Sequence, residues 1–108
     1  MYIGNREIEL DKDGYLINLN EWDIEIAGAL AAQENITLTP AHWEIIHLLQ
    51  EFYREFELSP AMRAFVKYTE KKLGQEKGKS IYLLQLFPPS AAKIASKIAG
   101  LPRPTNCL

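Results

Sequence analysis

The chain has 108 residues, a length that accommodates one domain of ordinary size and no second core. Hydrophobic residues make up 47% of it and charged residues 24%, as in folded globular proteins. One cysteine and two histidines can form neither an internal disulfide nor the four-ligand set of a structural zinc site. No apolar run reaches the ~20 residues of a membrane span, and the first residues lack a secretory pattern, so we expect a cytoplasmic protein.

Charge is distributed unevenly along the chain. Residues 1–57 hold three basic and twelve acidic residues, a net charge of −9, whereas residues 58–108 hold nine and two, a net charge of +7. Two interpretations stay open at this point. Either the halves separate in space and give an oriented electrostatic surface, or they fold against each other and neutralise most of the field.

Apolar and polar residues alternate on both sides of Asp13-Gly14, which supplies favourable turn chemistry. We therefore predict a β hairpin within residues 1–20, with a further short strand near Tyr2 and Ile3. An isolated hairpin is marginally stable in water, so its apolar face must pack on the helices that follow. The predicted fold class is α+β, with this small β meander or hairpin packed on an array of about five helices.

Helix signals follow in order along the rest of the chain. Asn20 is a favourable N-cap for a helix over residues 21–33. Thr39-Pro40 and Ser59-Pro60 combine a capping hydroxyl with the proline favoured in a first turn, and predict helices from Pro40 and over residues 60–73. Gly74 is a plausible C-cap. The apolar stripes expected to face the core are Trp22, Ile26, Ala29 and Leu30; Trp43, Ile46, Leu49, Tyr53 and Phe56; and Met62, Phe65, Val66, Thr69 and Leu73.

Two more helices are predicted before the end of the chain. The apolar run over residues 80–87 indicates a buried helix that Pro88-Pro89 stops, and a last helix follows Ser90 and ends at Gly100. Two prolines make the remaining residues unlikely to be helical, so they form a stiff arm. The predicted organisation is one domain, 1–108, divided into a hairpin region (1–20), a helical array (21–99) and a C-terminal arm (100–108) that carries Cys107.

Cys107 is the candidate catalytic residue, because a thiolate is the strongest nucleophile among ordinary side chains. Its place in the arm favours exposure and hence reactivity. Nearby Lys93, Lys97 and Arg103 would help to stabilise a thiolate or persulfide anion, whereas the terminal carboxylate acts in the opposite direction. The alternative is a small apolar tail residue without a role.

The two histidines do not predict a metal site. His42 and His47 are five residues apart, which is about 140° around a helix, so they cannot share a metal ion as an i, i+4 pair does. His42 is interpreted as a residue of the first helical turn and His47 as a residue of a helix face. No glycine-rich phosphate loop or nucleophile elbow is present, and no cofactor is implied.

A nucleic-acid-binding function is the main alternative from another class. The helices on either side of Ser59-Pro60 could form a helix-turn-helix, with Arg63, Lys67, Lys71 and Lys72 on the second helix. Two packed helices joined by a tight turn are, however, common in small helical domains, and lysines often do no more than solvate a helix face.

Three segments and the ending of the chain carry a recognisable pattern. They are His42-Trp43-Glu44-Ile45-Ile46, Ser59-Pro60-Ala61-Met62-Arg63, Tyr82-Leu83-Leu84-Gln85-Leu86-Phe87-Pro88, and Lys97-Ile98-Ala99-Gly100-Leu101-Pro102-Arg103-Pro104-Thr105-Asn106-Cys107. Together they resemble the DsrC/TusE family of sulfur-carrier proteins over nearly the whole chain. The resemblance implies that Cys107 accepts sulfane sulfur as a persulfide and passes it on, as a sulfurtransferase that acts by relay.

The family divides on a second cysteine, and Ser96 stands at that position here. The resemblance therefore points to the TusE branch, which serves the formation of 2-thiouridine in tRNA. It implies a TusBCD-like donor complex and a tRNA 2-thiouridylase with bound tRNA as partners, with neither a membrane nor stable DNA binding. A DsrC-like regulatory or sulfite-reductase-associated role remains an alternative. Pro88-Pro89-Ser90-Ala91 departs from the family pattern, which has a glycine between two prolines.

Overall fold

The chain begins with a two-stranded antiparallel sheet, in a computed structural model that describes residues 1–105. Strand β1 (Tyr2–Ile3) pairs with β2 (Arg6–Glu7), with Tyr2 opposite Glu7 and Ile3 opposite Arg6. Gly4 lies in the turn between them at φ +60°. The strand predicted near Tyr2 is therefore present.

The predicted hairpin around Asp13-Gly14 is reduced to one antiparallel bridge between Leu10 and Leu16. The cause is local, because the Asp11 carboxylate accepts the N–H groups of Asp13 and Tyr15, each at 2.9 Å. Such side-chain capping competes with a regular strand ladder. Tyr15 and Leu16 are consequently both buried, and the strict alternation expected for this segment is absent.

The first α-helix begins later than predicted. Residues Leu19–Glu21 form a single 3-10 turn, and helix α1 is Ile24–Gln33. Its N-cap is Asp23, whose carboxylate accepts the Ile26 N–H at 2.9 Å, rather than the predicted Asn20. Trp22 lies outside the helix because its indole N–H donates to the carbonyl oxygen of Ile98 at 2.8 Å.

Four more helices complete the array: α2 (Pro40–Phe56), α3 (Met62–Leu73), α4 (Ser80–Leu86) and α5 (Ala91–Ile98). The predicted start at Thr39-Pro40 and the predicted end at Gly74 are confirmed. Helix α3 starts two residues later than predicted. Within the described residues, no helix has the length and apolar character needed to cross a membrane.

Helix α5 is the central helix, because it packs against α1, α2, α3 and α4. The core-facing side of α2 differs from the predicted stripe, since Phe56 is exposed and Trp43 and Tyr53 are only partly buried. The expectation that the helix at 80–87 is buried was wrong, because α4 buries Leu83 and exposes Ile81 and Leu84. The predicted α+β class is confirmed. The large side chains that are fully buried include Ile8, Ile26, Leu30, Ile45, Ile46, Leu49, Phe65, Leu83, Phe87 and Ile98.

Candidate functional site

The arm leaves the central helix through Gly100, which adopts φ +76°. A Cβ atom at this position would overlap the Trp22 indole, so the site requires glycine for two independent reasons. The next residue, Leu101, is buried, and its N–H donates to the Ser96 carbonyl oxygen at 2.9 Å. The start of the arm is thus fixed against the end of α5.

The following residues of the arm are also held in place. The Ser59 hydroxyl, which is buried, donates to the Pro102 carbonyl oxygen at 2.5 Å. Arg103 Nη1 lies 3.0 Å from Asp13 Oδ2, and Pro104 is buried. The predicted non-helical conformation of this segment is present as far as residue 105, and the segment packs on the domain. Cys107, the predicted catalytic residue, lies outside the described residues.

The three cations expected near Cys107 meet in one cleft of about 270 Å³, which we call the basic cleft. Lys93, Lys97 and Arg103 line it together with Asp13 and Tyr15. Lys97 Nζ lies 3.1 Å from Glu34 Oε2 and 5.3 Å from the centre of the Tyr15 ring. The Tyr15 hydroxyl donates to the Lys93 carbonyl oxygen at 3.1 Å, which joins the β region to α5. The remaining residues of the lining are Pro89, Ser90 and Ile94.

Ion pairs show that the acidic and basic halves of the chain neutralise each other only in part. Four basic residues of the second half pair with acidic residues of the first. These pairs are Lys72–Glu51, Lys77–Glu44, Lys97–Glu34 and Arg103–Asp13. Among residues 1–105, the other five have no ion-pair partner within 4.0 Å, and they are Arg63, Lys67, Lys71, Lys79 and Lys93. Partial neutralisation therefore leaves a basic surface on α3 and at the starts of α4 and α5.

Hydrogen bonds and ion pairs at the surface shift the pKa of several side chains. The carboxylate of Glu51 raises the pKa of Lys72, and that of Glu44 raises the pKa of Lys77, in each case chiefly through a hydrogen bond to the ammonium group. The pKa of Asp23 is lowered, first by the Ile26 N–H that it caps and then by Arg6. In each case the neighbouring group stabilises the charged form of the surface residue.

His42 occupies the first turn of α2, as predicted. Its Nδ1 accepts the Thr39 N–H at 3.1 Å, which assigns the proton to Nε2, and Nε2 then donates to the Leu86 carbonyl oxygen at 2.8 Å. His42 thereby connects the start of α2 to the end of α4. His47 lies exposed on α2 beside Trp43, as expected for a helix-face residue. Within the described part of the chain, no three His, Cys, Asp or Glu residues form a group that could hold a metal ion.

Ser96, the position at which the family divides, lies on the buried face of α5 and is fully buried. Its hydroxyl has no hydrogen-bond partner among the residues that the structure describes. An unpaired buried hydroxyl adds no hydrogen bond to the fold, so the fold does not require the hydroxyl group itself.

Sequence reasoning missed one feature, an apolar groove of about 290 Å³ between α3, α4 and the start of α5. Its apolar side chains include Met62, Ile81, Leu84 and Pro89. Ile81 is 62% exposed and Leu84 is 40% exposed. The signal was available, because the run at 80–87 is apolar on all sides of a helix too short to bury every face. The remaining lining residues are Ser80, Ser90, Ala91 and Ala92.

Solved structures with the same fold share substantial sequence identity with this chain. DsrC of Allochromatium vinosum matches with a TM-score of 0.89 and 45% identity, covering 100% of this chain and 96% of that one. The structure described as the oxidized gamma-subunit of the dissimilatory sulfite reductase (DsrC) from Archaeoglobus fulgidus matches with a TM-score of 0.83 and 34% identity, covering 99% and 97%.

Curated relatives are closer still in sequence. Sulfurtransferase TusE of Photorhabdus laumondii is 54% identical over 95% of this chain and 93% of its own length. Sulfurtransferase TusE of Escherichia coli strain K12 is 48% identical over 95% and 94%. The model of the family described as DsrC like protein matches residues 2–108.

The fold and the docked arm define an α+β protein of the kind found in these structures. The chain belongs to the DsrC family, which confirms the family predicted from the sequence. The relatives' names support the TusE branch and the predicted sulfurtransferase class. The helix-turn-helix alternative receives no support from any of them.

Proposed function

We propose that the protein is a sulfur carrier that holds sulfane sulfur as a persulfide on Cys107. The observation that carries this proposal is the family membership of a chain with a single cysteine. With one thiol, the protein has no internal partner for a disulfide or trisulfide, so its cysteine is available for exchange with other molecules.

The chemistry of loading needs no oxidant or reductant beyond the donor. The Cys107 thiolate attacks the outer sulfur of a donor persulfide, and a new S–S bond forms on Cys107. The S–S bond of the donor breaks, and its electron pair leaves on the donor thiolate. Unloading repeats the same exchange in the direction of an acceptor. Because sulfur moves at a constant oxidation level, the carrier needs no redox cofactor.

The described surroundings of the arm suit this chemistry. Residues 101–103 are held by contacts with Ser96, Ser59 and Asp13, so Cys107 follows four residues after the last of these contacts. The basic cleft places Lys93, Lys97 and Arg103 at the point where the arm begins. Cations near a sulfur nucleophile favour its anionic form.

The donor in this proposal is a TusBCD-like complex, and the acceptor is a tRNA 2-thiouridylase with its bound tRNA. This assignment rests on the TusE name of the relatives and on Ser96, which stands where the other branch has its second cysteine. We place the whole relay in the cytoplasm, where thiols stay reduced. The domain limits of 1–108, with an arm from residue 100, belong to the same proposal.

The test is persulfide loading followed by intact-protein mass spectrometry. Wild-type protein incubated with a persulfide donor is expected to gain the mass of one sulfur atom, and a reductant is expected to remove it. The Cys107→Ser variant serves as the control and should gain nothing. Loading of that variant would contradict the assignment of Cys107, because the added sulfur would then reside elsewhere.

A further inference from the structure

We propose that the apolar groove and the cations beside it form the docking surface for the protein that donates sulfur to this carrier. This inference rests on the proposed function and adds to it the surface by which the donor is recognised. The donor segment that fits has an apolar side chain flanked by acidic residues.

The groove is bordered by large apolar side chains that are exposed to solvent. Ile81 and Leu84 lie one turn apart on α4 and are 62% and 40% exposed. They face a groove of about 290 Å³, which accommodates one or two side chains of a partner. Leaving such side chains in water forgoes the stabilisation that burial gives, so a surface of this kind commonly marks a binding site.

The cations that neighbour groove residues in the sequence define the chemistry of the occupant. Arg63 follows the groove residue Met62, Lys79 precedes Ser80, and Lys93 follows Ala92. Among the described residues, Arg63, Lys79 and Lys93 have no ion-pair partner, in contrast to the four cations that pair with the acidic half. An apolar floor with unpaired cations beside it complements an acidic protein segment with an apolar anchor.

The position of the groove relative to the arm also favours a sulfur donor as the occupant. Pro89 and Ser90 line both the apolar groove and the basic cleft, so the two depressions adjoin. The basic cleft ends at Arg103, four residues before Cys107. A protein held in the groove therefore adjoins the cleft that Arg103 of the arm lines, and under the proposed function it would present its persulfide from this side of the domain.

The same features favour the donor over the acceptor as the occupant. In an acceptor that holds tRNA, the bound RNA presents phosphates that compete for the cations and leave the apolar floor uncovered. The donor presents protein alone, and both the floor and the cations then have partners. A second copy bound face to face through the same groove fits less well, because it would bring its own unpaired cations towards this surface.

The experiment measures loading of Cys107 from two sources in the full-length protein. One source is a purified TusBCD-like complex carrying persulfide, and the other is inorganic polysulfide, which needs no docking surface. The variants Ile81→Gln and Leu84→Gln remove apolar contacts without adding charge. Ile24→Gln is the matched control, since Ile24 is a 70% exposed isoleucine on α1, away from the groove.

We expect Ile81→Gln and Leu84→Gln to load from the protein donor at least tenfold more slowly than wild type, the size of effect found at interface hot spots. Ile24→Gln should load at the wild-type rate, and all three variants should load normally from polysulfide. Lys79→Glu should slow loading from the protein donor, and added salt should shrink its difference from wild type.

Each contrary result has its own meaning. Normal loading of both groove variants from the protein donor would overturn the docking surface and leave the proposed function intact. Failure of wild type to load from either source would overturn the proposed function itself. Two results would replace the donor as occupant: a dimer that dissociates in Ile81→Gln by analytical ultracentrifugation, or tRNA affinity that falls in both groove variants.

Discussion

Helices α5 and α4 are of nearly equal length, follow one another in the chain and have opposite surroundings. Helix α5 buries six of its eight residues, whereas α4 buries only Leu83 of its seven. Helix α5 contacts every other helix and carries the start of the arm, while α4 packs mainly on α3 and α5. In the proposed carrier, α5 therefore fixes the start of the arm, and α4 presents the exposed apolar side chains of the proposed docking surface.

The difference also indicates where substitutions alter stability and where they alter recognition. A buried side chain on α5 stabilises the fold through the atoms that it contacts, and its loss leaves a cavity. An exposed side chain on α4 stabilises the fold little, so the presence of isoleucine and leucine there needs another explanation. Substitutions that separate the two effects test the division directly.

The largest contrast is expected between Ile98 and Ile81. Ile98→Ala truncates a fully buried residue of α5 and should lower the free energy of unfolding by about 2 to 5 kcal/mol. Ile81→Ala removes the same atoms from a 62% exposed residue and should change it by no more than about 0.5 kcal/mol. Urea unfolding at equilibrium measures both. Equal losses would mean that α4 contributes to the core as much as α5 does.

Gly100 is expected to come next. Gly100→Ala adds a methyl group that overlaps Trp22 and forces a left-handed backbone on alanine, so we expect a loss of about 2 to 4 kcal/mol. Gly28→Ala is the matched control, because nothing lies within 4 Å of its added carbon in α1. That variant should be stabilised by up to about 1 kcal/mol. A stable Gly100→Ala protein would contradict the tight junction between α5 and the arm.

Ser59→Ala tests the hold on the arm with a smaller effect. The variant loses the donor to the Pro102 carbonyl oxygen, and we expect a cost of about 1 to 2 kcal/mol. The Leu101 amide, which donates to Ser96, should exchange its hydrogen faster in the variant. Unchanged exchange at this amide, measured by NMR, would show that the Ser59 hydroxyl does not hold the arm.

The smallest effect concerns pH and the N-cap of α1, which packs against α5. The folded state lowers the pKa of Asp23, so its carboxylate stabilises the protein above the ordinary value of 3.8, and this stabilisation is lost as pH falls through the folded value. Asp23→Asn retains a capping oxygen without charge. Unfolding free energies should therefore decline less in Asp23→Asn than in wild type between neutral pH and acid below 3.8. Parallel declines would contradict a charged cap.

Local chemistry explains which features could be predicted from the sequence. Thr39-Pro40 and Gly74 act on their own backbone neighbours, so the limits of α2 and α3 that they set were recognisable. The start of α1 was misplaced because Asn20 and Asp23 are both favourable N-cap residues. The bond from Trp22 to Ile98, 76 positions away, accompanies the use of Asp23. Contacts of that kind leave no periodic pattern in a single sequence.

The same distinction between local signals and tertiary contacts applies to the candidate site. Lys93, Lys97 and Arg103 were expected near Cys107, which lies outside the described residues, and the three cations themselves line one basic cleft. The role of Ser59 was missed, since a serine before a proline is typical of a helix cap and its bond to Pro102 depends on the tertiary fold. The exposure of α4 was missed because the apolar run was interpreted as buried, although the apolar residues around so short a helix cannot all face the core.

Transfer of labelled sulfur from this protein to tRNA tests the central claim most directly. The carrier is loaded with radioactive sulfur, freed of excess donor, and mixed with a tRNA 2-thiouridylase, its tRNA and ATP, which activates the uridine oxygen that sulfur replaces. We expect label to enter the tRNA from wild-type carrier in a single turnover, and none to enter from Cys107→Ser treated identically. Equal labelling of tRNA with both proteins, or none with a fully loaded wild-type carrier, would contradict a persulfide relay through Cys107.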